Sequence, residues 1–575
     1  MRNIKSVRLL STLLVLAGLM FLLYERYLLE TKNSWIYYLD MVCFSLIIVV
    51  LTFNLNSNYK GVSILEIISL IIGYMLLKFA YVVTVPSSVL SIYPDAYAEY
   101  QVASSIEQFG HIQQMSYYTS SARALSTMPI VPILSYHLSS VLSIPLSTVL
   151  KYLGASITSF LVPLSYVLLF KSIHEGHVRY LVSTILVMFS PWVLGFPVWG
   201  HYAMISIVFV PIILWCIQVM GDQNDKRVGI FYIVLLLALT FTHMYMAVVI
   251  LLAFTVYIVF ILVTGKKSLF HRITIAYILY LIVTVVYLVY LSGQFSDLVF
   301  MVEYLKKALM IGSISKGIAY YGTPRASPVE VVVLKYIGLI SLGILSVLSL
   351  LWYYLKSRAK IMTYLMFLSI GIAGGITILP YIFDPKYGTD LFNRIMYLGV
   401  LTVSPYIALF VDRILHSFDD NKKKFSLAIL ILFILLFGVL SAVRPDLTDW
   451  KTPIVMGEDI RLSWPEWASE GKFATNYLPR DIYGLRAGVG PVGLFGRKRY
   501  YQISPSVVNP KPIISPTDFG NIPNHLRDKY FVLRISMVKY TDVGFGVPGG
   551  EFIKFRSNPN TLIIYSCQDV FIVKT

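Results

Sequence analysis

Charge is what this chain has least of. Only 13% of its 575 residues are charged and 57% are hydrophobic; an ordinary soluble domain carries about 25% charged residues. That shortage excludes a soluble globular protein of this length and leaves a membrane protein. Cysteine is nearly absent. Cys43 and Cys216 fall inside apolar runs, Cys567 stands near the end, and no two make a C-x-x-C pair. A disulfide framework and a thiolate metal site are therefore not expected, and buried thiols are. His137, His201 and His243 follow no metal-ligand spacing, so no histidine metal site is expected either. The acidic residues are outnumbered, 30 against 47 Lys and Arg, for a net charge of +17. This excess does not mark a nucleic-acid binder, because many of the basic residues stand in short loops between apolar runs, where Lys and Arg fix orientation. Arg2, Lys5 and Arg8 precede the first apolar run, but Tyr24-Glu25-Arg26-Tyr27 follows it in place of a small-residue cleavage site. A retained signal-anchor helix is expected. There is no internal repeat and no low-complexity linker.

What the chain has in abundance is apolar runs of membrane length, about 20 residues each. Thirteen spans are expected: 7–24, 35–54, 62–84, 151–172, 180–195, 203–220, 228–243, 246–264, 273–292, 329–355, 361–382, 395–414 and 427–443. The stretch 129–146 is short and broken by Pro129, Pro132 and Pro145, which suits a re-entrant or surface-lying helix. With the N-terminus cytoplasmic, the cytoplasmic loops carry Lys171 and Arg179; Lys226 and Arg227; Lys266, Lys267 and Arg272; Lys356, Arg358 and Lys360; and Lys422, Lys423 and Lys424. That is the positive-inside bias, and counting 129–146 as a span would reverse it. The first long outer loop (85–150), the His201 turn, the loop 294–328, the stretch before Arg394 and the tail then share the extracytoplasmic side. Residues 1–443 read as a transmembrane domain. Residues 444–575 are polar and rich in Pro and Gly, with β-like runs Tyr530-Phe531-Val532-Leu533 and Thr561-Leu562-Ile563-Ile564-Tyr565. They read as a small mixed α/β extracytoplasmic domain.

The first outer loop holds Tyr93-Pro94-Asp95-Ala96-Tyr97-Ala98-Glu99. A helix is expected over 96–109, with Tyr97, Tyr100, Ile106 and Phe109 on one face, lying along the membrane. Asp95 is placed to act as a general base on an acceptor hydroxyl; it is equally placed to cap that helix. Glu99, one turn on, either tunes Asp95 as a like charge or is merely solvated. Arg394, in Asp390-Leu391-Phe392-Asn393-Arg394-Ile395, would hold a leaving phosphate through paired hydrogen bonds; alternatively it snorkels at a helix end. Lys78 lies within a span, where a cation is costly; it would pair with Asp95, contact phosphate or snorkel. His201 and Tyr202 open a span after Pro197-Val198-Trp199-Gly200, and His243 sits in the turn Phe241-Thr242-His243-Met244-Tyr245. Each would bind substrate or simply pack. The loop 294–328 carries Lys306, Lys307, Lys316, Tyr320, Tyr321 and Arg325, positive charge on the side that the orientation rule leaves poor in it. An anionic lipid phosphate would account for it; so would a solvated face.

Taken together, these features resemble the GT-C glycosyltransferases, integral-membrane enzymes that use polyprenyl-phosphate sugars. The resemblance lies in layout from about residue 62 onward and in short motifs: an acidic residue after a span (Asp95, with Glu99), helices along the membrane (96–109, 129–146), the run from Ser190-Pro191-Trp192 to Gly200-His201-Tyr202, and Phe392-Asn393-Arg394 at the mouth of a late span. The ending Asn560-Thr561-Leu562-Ile563-Ile564-Tyr565-Ser566 is similar to those of prokaryotic members, archaeal ones especially. The resemblance implies a mainly α, GT-C-like helical arrangement. It also implies inverting transfer of a hexose or pentose from a dolichyl or undecaprenyl phosphate to an extracytoplasmic glycan, protein or lipid, with Asp95 as base, Glu99 beside it, and Arg394, Lys78 and Arg325 on the phosphate. Two departures matter. The second acidic cluster and the Trp-Trp-Asp motif of oligosaccharyltransferases are missing; Trp464-Pro465-Glu466-Trp467 and Asp449-Trp450 do not reproduce the latter. The expectation is therefore a metal-independent enzyme without cofactor, like protein mannosyltransferases and aminoarabinose transferases, although a divalent metal stays compatible. The rivals are a flippase or transporter of lipid-linked glycans, with Gly374-Gly375 as its helix break, a glycan polymerase, and a non-catalytic scaffold.

Overall fold

The structure, a computed structural model, describes residues 71, 74–75, 94–113, 126–174, 176–188, 190, 193, 201–222, 226–265, 267–287, 329–356, 361–382 and 388–417, then 473, 477 and five short strands. The helices are α1 Pro94–Phe109, α2 Ile130–Leu142, α3 Leu146–Ile173, α4 His177–Met188, α5 His201–Asp222, α6 Lys226–Thr242, α7 Met244–Thr264, α8 Lys267–Val286, α9 Val329–Lys356, α10 Ile361–Ile382 and α11 Gly388–His416. Leu146–Ile173, Met244–Thr264 and Tyr397–Ile414 are long and apolar enough to cross a membrane. Side chains such as Ile230 and Val234 on α6, Leu262 and Val263 on α7 and Ile282 on α8 are exposed, as they are where the surrounding solvent is hydrocarbon. The chain is a membrane protein. Expected spans 7–24, 35–54 and 427–443 lie outside the described residues, as does 62–84 apart from Ile71, Tyr74 and Met75.

One expected span is corrected and one short helix is defined. The span expected over 180–195 ends as a helix at Met188, because Ser190 turns back onto the Val187 carbonyl and Pro191 disfavours helical geometry before it. The segment 129–146 forms the 13-residue α2, closed by Ser143 in the left-handed region (φ 53°); at 1.5 Å per residue it spans about 20 Å, short of a bilayer core.

Proline and glycine set the packing of the bundle. Pro405 inside α11 has no N–H for the Leu401 carbonyl four residues back, and Ser404 Oγ donates to that oxygen at 3.2 Å. Pro211 inside α5 leaves the Ile207 carbonyl in the same position, and Tyr166 Oη on α3 donates to it at 3.5 Å. Between α10 and α11 the backbones close up at glycine: a Cβ on Gly371 would meet Thr402 Cγ2 at 2.8 Å, and one on Gly374 would meet Leu398 Cδ1 at 2.8 Å. Small residues allow such approach between membrane helices. α10 runs unbroken through Gly374 and Gly375, and Gly374 is a packing seat, so this pair is not the helix break a transporter reading would use.

In the polar tail, β1 Asp481–Gly484, β2 Arg499–Gln502, β3 Tyr530–Arg534, β4 Leu562–Cys567 and β5 Val570–Lys574 form one sheet in the order β2-β1-β3-β5-β4. β1 pairs in parallel with β2 and β3, while β5 pairs antiparallel with β3 and β4. The two apolar runs read from the sequence lie on β3 and β4.

Candidate active site

One end of the bundle gathers the candidate residues. α1 packs there through two clusters. Val102 joins Met128, Met244 at the start of α7 and Tyr287 just past α8, with Phe241 and Ile112 against them; Phe241 meets the Tyr287 ring edge-on at 4.8 Å. Ala103 and Tyr100 pack on Leu146 and Leu150 at the start of α3. So α1 lies over the junction of α3, α6, α7 and α8. α5 also begins at this end, because it connects directly to α6, whose last turn carries Phe241. Tyr245 near the start of α7 and Thr377 late in α10 share a 3.3 Å hydrogen bond, which puts the end of α10, and with it the start of α11, on the same side. At the opposite end Thr264 Oγ1 of α7 donates to Met362 Sδ of α10 at 3.3 Å.

This arrangement brings together the helix of Asp95 and Glu99, the first residues of α5 (His201, Tyr202), the α6–α7 turn (His243) and the first two turns of α11 (Arg394). Asp95 sits in the first turn of α1, which opens at Pro94, a residue suited to that position; the helix starts two residues before the expected 96. For Asp95, His201, Tyr202 and Arg394 the description is of backbone. Lys78 and Arg325 lie outside the described residues.

Glu99 corrects an expectation: it is not solvated but fully buried, with 0% of its surface exposed. The buried face of α1 runs through Glu99, Val102, Ala103, Ser105 and Ile106, while Phe109 is 48% exposed, unlike the aromatic face read from the sequence. The reason is that α1 is covered by α2 and α3 as well as by the α7 turn, so burial follows its neighbours and not its own apolar stripe. A carboxyl group so placed is expensive without polar company.

His243, 4% exposed, caps α7: its Nδ1 accepts the Met246 N–H at 3.0 Å. That bond leaves the proton of a neutral ring on Nε2. His137 on α2 is exposed and lies beside Tyr136. Among the described residues no three His, Cys, Asp or Glu side chains are grouped to hold a metal ion. Lys151, buried in the second turn of α3 beside Leu150, was not singled out from the sequence; its only signal was a cation on the first residue of an expected span. Deeper still, the Tyr166 and Tyr397 hydroxyls meet at 2.8 Å, a contact between residues too far apart in sequence for any local pattern to reveal.

No family model matches the chain, and no curated protein matches it. Among solved structures, ArnT from Cupriavidus metallidurans bound to undecaprenyl phosphate is 10% identical, with a TM-score of 0.49 over 89% of this chain and 98% of that one. The same protein in its apo state is 10% identical, with a TM-score of 0.45 over 84% and 92%. At these values neither likeness carries a residue's role to this chain.

Proposed function

We propose that this chain is a membrane glycosyltransferase that moves one sugar from a polyprenyl-phosphate donor to an acceptor hydroxyl on the extracytoplasmic side, with inversion. The observation that supports it best is the seating of α1, with Asp95 in its first turn and Glu99 buried one turn later, over the bundle end where α5 and α11 begin. A carboxylate on a short helix packed from several sides is held rigidly, as a general base must be.

In the proposed step Asp95 takes the proton of the acceptor hydroxyl as its oxygen attacks the anomeric carbon. The bond from that carbon to the phosphate oxygen breaks, and polyprenyl phosphate leaves with the electron pair. Arg394 holds the departing phosphate, with Lys78 or Arg325 as a second cation. His201 and Tyr202 line the sugar side, and Glu99 stands behind Asp95 as the second carboxyl of the helix. Positioning and fixed charge supply most of the rate.

The test is sugar transfer by the purified protein in lipid, from a panel of polyprenyl-phosphate sugars to an envelope acceptor fraction. Wild type and Asp95→Asn are run side by side, with and without chelator. Transfer that persists in chelator and is lost in a folded Asp95→Asn variant supports the reading. Equal transfer by both proteins removes Asp95 and the mechanism with it.

A further inference from the structure

Inside the bundle a hydroxyl chain joins three helices. Tyr166 on α3 and Tyr397 on α11 are both fully buried, and their hydroxyls are 2.8 Å apart. Tyr166 Oη also reaches the Ile207 carbonyl of α5 at 3.5 Å. A phenol has one proton. The order that satisfies all three groups is therefore Tyr397 O–H donating to Tyr166, and Tyr166 O–H donating to Ile207. The Ile207 oxygen needs this donor because Pro211, four residues on, has no N–H to offer. A third buried tyrosine, Tyr74, donates to the Val193 carbonyl at 3.2 Å.

Position gives the chain its meaning. Tyr397 is three residues inward from Arg394, about 4.5 Å along the axis of α11, and Ile207 is six residues inward from His201, about 9 Å along α5. Phenylalanines at 166 and 397, with an ordinary residue at 211, would fill the same space with fewer buried polar groups and a complete backbone hydrogen-bond ladder in α5. Stability alone gives no reason for the present set, since buried polar networks are costly when any member fails.

We propose that the Tyr397–Tyr166–Ile207 chain is a positioning device: it locks the early turns of α5 and α11 to one another and so fixes the backbone that presents Arg394 to the donor's lipid phosphate and His201 to its sugar. This rests on the donor reading given above. Tyr166 and Tyr397 are positioning residues, acting through the helices that carry the site.

The test uses the full chain in lipid nanodiscs, with undecaprenyl phosphate carrying no sugar as the probe. Four variants are compared with wild type: Tyr166→Phe, Tyr397→Phe, Pro211→Ala and, as control, Tyr406→Phe. Tyr406 lies on the same helix and donates at 3.0 Å to the Tyr364 carbonyl, so its variant loses a comparable buried hydrogen bond away from the site. Tyr166→Phe and Tyr397→Phe are each expected to bind the probe about five- to tenfold more weakly, the effect of one buried hydrogen bond. In transfer assays they should raise the KM for donor while kcat holds. Tyr406→Phe should bind as wild type despite a similar fall in melting temperature. Pro211→Ala restores an N–H to Ile207 and frees the Tyr166 proton; it should melt no lower than wild type yet bind more weakly. Equal binding by all variants overturns the proposal, as does equal weakening in Tyr406→Phe. If wild type itself does not bind the probe, the donor reading fails, and this inference falls with it.

Discussion

The two ends of the helical bundle carry different sets of polar residues. At the end away from α1, polar groups close on one another. Arg179 of α4 donates through Nε to Asp412 of α11 at 2.6 Å, with the Asp412 side chain 7% exposed. His174 Nε2 lies 3.1 Å from Ser183 Oγ, which donates to the Ser404 carbonyl. The rings of Tyr353, Tyr364 and Tyr406 pack together with centroids 4.6 to 5.0 Å apart. At the α1 end, ionisable residues stand on several elements: Asp95 and Glu99 on α1, Lys151 on α3, His201 on α5, His243 in the α6–α7 turn and Arg394 on α11. Polar groups that close pairwise across neighbouring helices hold a bundle together; under the proposed function, the residues at the α1 end act on a substrate instead.

This contrast can be broken experimentally, beginning where the effect should be largest. Asp95→Asn should lower transfer by about 10²- to 10⁴-fold with no change in melting temperature; a loss of stability equal to the loss of rate would move Asp95 to the structural side. Asp412→Ala should do the reverse. It leaves Arg179 without its carboxylate and should cost about 1–3 kcal/mol, below the range for fully buried pairs because Arg179 is 35% exposed. Thermal or denaturant unfolding in detergent measures this, and the KM for donor should stay put. Arg394→Lys keeps the charge and loses the fork; donor affinity should fall about tenfold, read by titration with the lipid phosphate. His243→Ala should cost about 1 kcal/mol as a lost helix cap. His243→Asn, which can still cap, should recover that stability. If transfer stays low in the Asn variant after stability returns, His243 belongs to the site as well as to the fold.

How much of this was legible in the sequence varies with distance along the chain. α7, α9 and α10 match their expected spans to within two residues, because a long apolar run has one good solution in hydrocarbon. The short α2 was legible from its prolines. α4 was read too long because the apolar composition continues past Ser190 and Pro191 while the helix does not. Glu99 was misread because burial on α1 is imposed by α2, α3 and the α7 turn, none of which its own periodicity records. The Asp95 helix, the His201 turn and the Arg394 helix were each visible as local motifs; that α1 lies over the starts of α3 and α7 and the ends of α6 and α8 is a property of the packing. The Tyr166–Tyr397–Ile207 chain was the least legible, although Pro211 announced that one carbonyl of α5 would need a donor from elsewhere.

That missing amide hydrogen ties the history of two positions together. Among descendants or cousins of this chain, residue 166 should not drift independently of residue 211. A tyrosine lost from 166 while proline stays at 211 strands a carbonyl in an apolar core, so the tolerated order of replacement is proline first and tyrosine second. Chains with an ordinary residue at 211 should therefore include some with phenylalanine at 166, and chains that keep the proline should not. A single imino acid in this way dictates the sequence in which evolution can dismantle the contact.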